Sequence, residues 1–508
     1  LVEQRSVLSG IGVVSLLTAF VLVVHGYHPY VEDGGLYIAG IKKLLDPALY
    51  PAWSQFVTEH LRFSVFAPMV AAIVRTTHLS LPWVLLLIYC ASVWTTLFAG
   101  WMVISRAVES TTGRSGGVAL LACWLTMPIA GTSLMLMDPY VTARSFSTPL
   151  ALFAVAWAMD VARSDQTSKR LRSATLCFLA IAAAAVLHPL MAGYALATVA
   201  VVLCVGSKSE QIRRRAPWAL AAVALAGAAA LQAKAPAESA NYFWVAMTRY
   251  YWFPFRWEWY EQIGLIAPLI LLAFLGRRRL GSINDQWPVV VRLGLVLGGI
   301  ALAVAVAFSR AKLDTHLVAR MQPLRCYQMV YEIMILLLGA WLGERVLAAR
   351  AWRWALLLGV FGGLMFFVQR STFPSSTHLE MPWRAPRNPW VRAFLWSRDN
   401  TPKDALFALD AHYITRDGED AQTFRAIAER SAVPDYSKDG GEASITPDLT
   451  EPWVIGQDAQ TNLDKEDDSQ RLTKLSRLGV NWVILERASP TNWTCRYSND
   501  TVKVCRLP

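Results

Sequence analysis

Along residues 1–370 the chain repeats one pattern: apolar blocks of roughly 16 to 25 residues, parted by short polar segments. A crossing helix needs about 20 apolar residues. Blocks at about 7–27, 81–105, 115–131, 145–162, 173–188, 190–206, 216–233, 262–276, 289–309, 326–344 and 353–369 therefore predict an all-α polytopic membrane bundle of about eleven transmembrane helices. The stretch 63–77 (FSVFAPMVAAIVRTT) is shorter and carries Pro68 and Arg75, which predicts a half-inserted or interfacial helix. After residue 370 the pattern changes. Strand-like ALFALD (405–410), VNWVILE (480–486) and VKVCRL (502–507), with a helical piece from Ala421 to Glu429, predict a small α/β or α+β domain over 371–508. No internal repeat is visible.

Composition agrees. The chain has 508 residues, 55% hydrophobic and 17% charged, where a soluble protein has about 25% charged. That excludes a disordered chain and a disulfide-rich mini-protein. The net charge of +11 is unevenly placed. Residues 371–508 hold 17 basic and 20 acidic groups; residues 1–370 hold 31 and 17. The basic excess thus lies in the apolar part, where it is a topology signal rather than a sign of nucleic acid. Arg163 with Lys169, Arg170 and Arg172; Lys208 with Arg213-Arg214-Arg215; Arg277-Arg278-Arg279; and Arg345, Arg350 and Arg353 all fall on one side of an eleven-helix bundle. That side is expected to be cytoplasmic, with the N-terminus inside and the first helix retained rather than cleaved. Loops 28–62, 132–144, 234–261 and 310–325 and the tail then face outward, as expected of an inner-membrane protein with a periplasmic or extracellular C-terminal domain.

The outward segments carry the candidate chemistry. Glu32 and Asp33 follow the first helix at once, and charge at that depth is expensive unless used or paired. Gly34-Gly35 and LYIAGIKKLL, including Tyr37, predict an amphipathic interfacial helix. Taken alone, Glu32 and Asp33 fit N-terminal capping of that helix equally well. In MDPYVTARSFSTP, Asp138 precedes a helix begun by Arg144, and an Asp–Arg pair at a turn is the simpler account. His188-Pro189 lies between two helices. The loop NYFWVAMTRYYWFPFRWEWYEQ is dense enough in aromatic residues for an interfacial belt, yet it also interleaves Arg249, Arg256, Glu258 and Glu261. Arg320 and Arg325 flank Gln322-Pro323, and arginine forks suit phosphate oxygens; pairing with Glu332 or Asp314, or snorkelling to the head groups, is the alternative. Five cysteines sit in or beside apolar runs and no zinc-type spacing occurs. Cys495 and Cys505 flank the turn residues Asn499-Asp500 and are either one disulfide or two thiols. Asn492-Trp-Thr and Asn499-Asp-Thr match the glycosylation pattern, which also arises by chance.

The acidic pair after the first helix, followed by GGLYIAGIKKLLDPALYP and a Pro-containing half-inserted helix, resembles the first outward loop of the GT-C-type polytopic membrane glycosyltransferases. The likeness is one of layout and short patterns over residues 1–370. The chain is also similar to a bacterial group with the elements ED…Y, DPY.TARS, HP and QPLR. The resemblance implies transfer of a sugar from a polyprenyl-phosphate-linked donor to an acceptor (glycan, lipid or protein) at the outer membrane face. It implies Asp33 as catalytic base, with Glu32 next, its pKa raised by desolvation. Asp138 would position the acceptor or hold a divalent cation, magnesium or manganese. Arg320, Arg325 and Arg144 would hold the donor phosphate, and His188, Tyr37, Arg249 and Arg256 would contact substrate. Two other functions stay open. A transporter or flippase for a lipid-linked or anionic substrate would line a path with these charges, although the missing repeat speaks against it. A non-enzymatic outward receptor or scaffold would not need Asp33 or Asp138.

Overall fold

The computed structural model describes residues 2–278 and 281–508, with side chains from Gly10 onward; Arg279 of the basic triplet lies outside the described residues. All eleven expected blocks are helical, but eleven full spans are not borne out. Among the described residues seven helices are long and apolar enough to cross a membrane: Leu81–Ala107, Arg144–Arg163, Thr167–Leu187, Glu210–Lys234, Trp259–Gly276, Trp287–Phe308 and Ala351–Thr372. Gly10–His25 and Pro189–Val205 are shorter apolar helices. Thr111–Cys123 has 13 residues, and Tyr327–Leu342 has 16 before a π-helical turn over Gly343–Leu347.

The shortfall at Thr111–Cys123 has a local cause. Pro128 lacks an N–H and disfavours a helical residue before it. The chain therefore leaves the helix at Trp124 and folds on itself: Ile129 N–H donates to Leu134 at 2.8 Å and Leu136 N–H to Met127 at 3.1 Å. The loop expected over 132–144 thus begins at Trp124. The short helix still packs tightly, because a Cβ on Gly116 would collide with the carbonyl of Gly339. Small residues let the two backbones meet, the packing mode favoured where helices have no hydrophobic drive to associate. In the 63–77 region, Gln55–Phe63 and Phe66–Thr77 meet at 98°. That bend keeps the pair from forming one straight span.

After Thr372 the tail forms a five-stranded mixed sheet of β1 (Leu406–Ala408), β2 (Ser431–Ala432), β3 (Trp482–Glu486), β4 (Cys495–Ser498) and β5 (Val502–Arg506), in the order β2-β1-β3-β5-β4. β1 runs parallel to β2 and β3; β5 runs antiparallel to β3 and β4. Central β3 (WVILE) is almost wholly buried, as a strand covered on both faces must be, while β4 alternates half-buried and exposed as an edge does. One face packs on Trp390, Phe394 and Phe424, the other on Leu463 and Leu475. Cys495 and Cys505 form a disulfide across the β4–β5 hairpin. Asn499 of the second glycosylation triplet accepts from the N–H groups of Thr501 and Val502, both at 2.9 Å, so its side chain builds the turn.

The tail is stitched to the loop that follows the first helix by main-chain bonds. Tyr27 N–H donates to His378 at 3.0 Å, Glu32 N–H to Ala421 at 2.9 Å and Thr423 N–H to Tyr30 at 3.0 Å. Gly35 is needed here, because a Cβ would strike the Thr423 side chain. Glu380 receives His28 Nδ1 at 2.8 Å, and Glu429 receives Lys42 at 2.6 Å.

Candidate active site

Between these loops and the tail lies a cavity of about 910 Å³, the size of a small-molecule site. Glu32, Asp33, Asp138, Arg144, Arg249 and Arg325 all line it, from four separate stretches of sequence, and the tail closes it with Lys438.

Glu32 and Asp33 open the helix Glu32–Leu45, but no side chain caps its N-terminus. The capping account therefore fails in its hydrogen-bonding form. Both carboxylates are used elsewhere. Lys438 is paired with Glu32 and lies 3.3 Å from Asp33; Arg144 lies 3.3 Å from Asp33 and 2.8 Å from Asp138. Glu32 also holds φ +50, a left-handed conformation that costs a non-glycine residue roughly 1 kcal/mol or more and clusters at functional sites.

The expected upward pKa shift at Asp33 is overturned. Burial acts to raise it, but Lys438, Arg144 and Arg325 outweigh burial and hold the carboxyl well below the usual range. Asp138 goes the other way: burial pushes it up, and Arg144 offsets that only in part. The two carboxyls are thus split, Asp33 firmly ionised with a side chain 37% exposed, and Asp138 raised with a side chain 7% exposed. Environments that separate two carboxyl groups in this way commonly mark different chemical roles.

The divalent cation expected at Asp138 does not fit. A guanidinium occupies the position beside its carboxylate, and among the described residues no group of three His, Cys, Asp or Glu side chains is placed to hold a metal.

The arginines separate by what they touch. Arg325 sits on the turn Pro323–Cys326, which follows a left-handed Gln322 (φ +53) and is pinned where the Tyr194 hydroxyl donates to the Gln322 carbonyl at 3.0 Å. Among the described residues its side chain makes no hydrogen bond and no ion pair, and its Nε is buried without a partner. Burial first, then the nearby Arg144 charge, disfavours its cationic form, and the Asp33 charge offsets this only in part. Glu332, the carboxylate expected as a possible mate, is 1% exposed and also unpartnered.

Arg249 lines the cavity, but its guanidinium is spent on the carbonyls of Ser437 at 2.7 Å and Tyr436 at 2.9 Å, which hold the tail. Arg320 lies outside and donates to the Tyr242 hydroxyl at 3.3 Å. Arg256 is exposed and bound to the Met247 carbonyl at 2.8 Å. His188 and Tyr37 do not line the cavity, although both lie within electrostatic reach of Arg325, Arg144 and Asp33. Tyr37 packs its ring on His60 and Phe66. The aromatic loop divides: Tyr250 and Tyr251 face the cavity, while Trp259 and Tyr260 are exposed in the manner of a belt.

Lys438 is the site residue that sequence reading missed; nothing in YSKDGG distinguishes it from ordinary surface charge. It starts the helix Lys438–Ile445, where its N–H donates to Asp435 at 2.6 Å and the Asp435 N–H donates to Asp439 at 2.7 Å. Burial first, then the Asp439 charge, pushes the Asp435 carboxyl well above its usual range. A raised folded pKa gives stability that is complete below the unfolded value, about 3.9, and is lost as pH rises through the raised one. Asp435→Asn keeps the acceptor and removes that titration. Its apparent Tm in detergent is expected to exceed that of wild type by a margin that grows from pH 4 to pH 8; a wild-type-like loss of Tm between the two pH values would refute the assignment.

Comparison with known proteins finds no matching family model and no matching curated protein.

Proposed function

We propose that the chain is an integral membrane glycosyltransferase of GT-C type that moves a sugar from a polyprenyl-phosphate-linked donor to an acceptor hydroxyl in this cavity, on the outer membrane face. The observation that carries the reading is Arg325, a half-buried guanidinium with no ion pair among the described residues, facing a cavity in which Glu32, Asp33 and Asp138 already have cations. A phosphate is an anion whose geometry a planar fork matches with two parallel hydrogen bonds. The donor phosphate would rest on Arg325. The acceptor oxygen would attack the anomeric carbon as the bond to the phosphate oxygen breaks, its electron pair leaving with the phosphate. The acceptor proton would pass to Asp33, the more exposed of the split carboxyls. Arg144 and Lys438 would orient Asp33, and Asp138 would fix Arg144. A base as weak as Asp33 serves when the acceptor loses its proton late. The net-basic loops of residues 1–370 support an inner-membrane placement with the tail outside.

A second reading, transport of a lipid-linked substrate, draws on Glu332, a buried and unpartnered carboxyl within an apolar helix. One experiment separates the two. Proteoliposomes holding the full chain are given a panel of polyprenyl-phospho-sugars and an envelope extract as acceptor source. Release of free polyprenyl phosphate is expected. Donor that crosses the bilayer intact would support transport, and neither outcome with any donor would defeat both.

A further inference from the structure

A second concavity, of about 240 Å³, shares no lining residue with the cavity above. It opens beside the ends of two apolar helices: Tyr27 lies just past Val2–His25, and Pro82 is in the first turn of Leu81–Ala107. Its walls are apolar, with Pro82, Met381 and Leu395. Its rim is cationic, with Lys42, Arg384 and Arg398 against a single carboxylate, Glu380, already engaged by His28 at 2.8 Å. Lys42 is neutralised by Glu429 and Arg398 by Asp399, but Arg384 is exposed and, among the described residues, makes no ion pair or side-chain hydrogen bond. At the floor the Tyr27 hydroxyl is buried without a partner, on a residue 1% exposed. Next to the groove Trp83 and Trp383 stack at 5.1 Å and remain exposed, as aromatic anchors at head-group level do.

We infer that this groove binds the head group of an anionic glycerophospholipid of the surrounding bilayer, its phosphate at Arg384 and a glycerol or ester oxygen at the Tyr27 hydroxyl. The acyl chains run down past Trp83 along Leu81–Ala107, where Leu87 is exposed. Charge selects the lipid: a surplus guanidinium sits over an apolar wall, and a zwitterionic head group brings its own cation to compete with it. A bilayer lipid fits better than the polyprenyl donor because the groove is separate from the cavity that holds Asp33 and Arg325.

The test is native mass spectrometry of the full-length protein in detergent, titrated with phosphatidylglycerol, phosphatidylcholine or polyprenyl phosphate. Wild type is expected to retain phosphatidylglycerol over phosphatidylcholine. Arg384→Gln, at an exposed unpaired side chain that folding does not need, is expected to lower phosphatidylglycerol retention about fivefold, the equivalent of about 1 kcal/mol for one basic residue at an anionic lipid surface. Tyr27→Phe is expected to lower retention of phosphatidylglycerol while leaving thermal stability intact. Equal retention of the two phospholipids, indifference to Arg384→Gln, or displacement of phosphatidylglycerol by polyprenyl phosphate in an Arg384-dependent manner would each overturn the proposal. None of these outcomes depends on glycosyl transfer.

Discussion

Arg325→Gln is expected to lower release of free polyprenyl phosphate by about 10²–10³-fold, the usual loss when one preorganised donor to developing negative charge is removed. Thermal stability should stay the same or rise. The reason lies in the resting site. Removing one partner of a buried ion pair leaves the other charge stranded and destabilises the fold. Arg325 has no such partner among the described residues, and both burial and Arg144 disfavour its charge. Its substitution therefore relieves a desolvation cost and, on the proposed reading, removes the group that holds the donor phosphate. Arg325→Lys keeps the charge but not the fork and should recover a minor part of the activity. A variant that loses stability and activity together would show Arg325 to be a packing residue, and the phosphate assignment would fall.

Asp33→Asn is the second large effect. Loss of a positioned proton acceptor costs about 10²–10⁴-fold, and the same loss is expected here. The fold should hold, because Lys438 keeps Glu32 and Arg144 keeps Asp138. Wild type should also show an unusual acid limit. The reactive form of Asp33 is the ionised one, and neighbouring cations hold its carboxyl below the ordinary range. Activity governed by Asp33 should therefore persist as pH falls to about 4 and fail only below it. An acid limb centred above pH 5, or an Asn variant with more than a tenth of wild-type turnover, would remove Asp33 from the role of base. Asp138, whose carboxyl is raised, would then be the group to replace.

What could be read from the sequence follows the range of the forces involved. The apolar blocks mark helices because hydrophobic burial repeats locally, and the three main tail strands fall inside the stretches that alternate or run apolar. Helix ends were harder. Pro128 stood in view inside the 115–131 block, yet an apolar run gives no sign that the backbone will turn and pair with itself. Asp33, Asp138 and Arg325 could be picked out because a charge beside an apolar block is costly wherever it ends up. The difference between Arg325 and Arg249 could not. Both sit in loops near aromatic residues, and only the carbonyls of Ser437 and Tyr436, far along the chain, use up the second. The sign of the Asp33 shift was misread for a related reason. Depth in the membrane boundary argues for desolvation, but the cations that reverse it are Arg144 and Lys438, 111 and 405 positions away.

That last separation bears on how the protein is made. Lys438 lies 405 positions after Asp33, so the carboxylate pair is clamped only when the tail has folded onto the loop that follows the first helix. A ribosome-bound intermediate with every apolar helix in place would hold Glu32 and Asp33 side by side with no lysine between them. Biosynthesis thus has a built-in order: the lysine clamp on this carboxylate pair forms only after the apolar helices that precede it in the chain have been made.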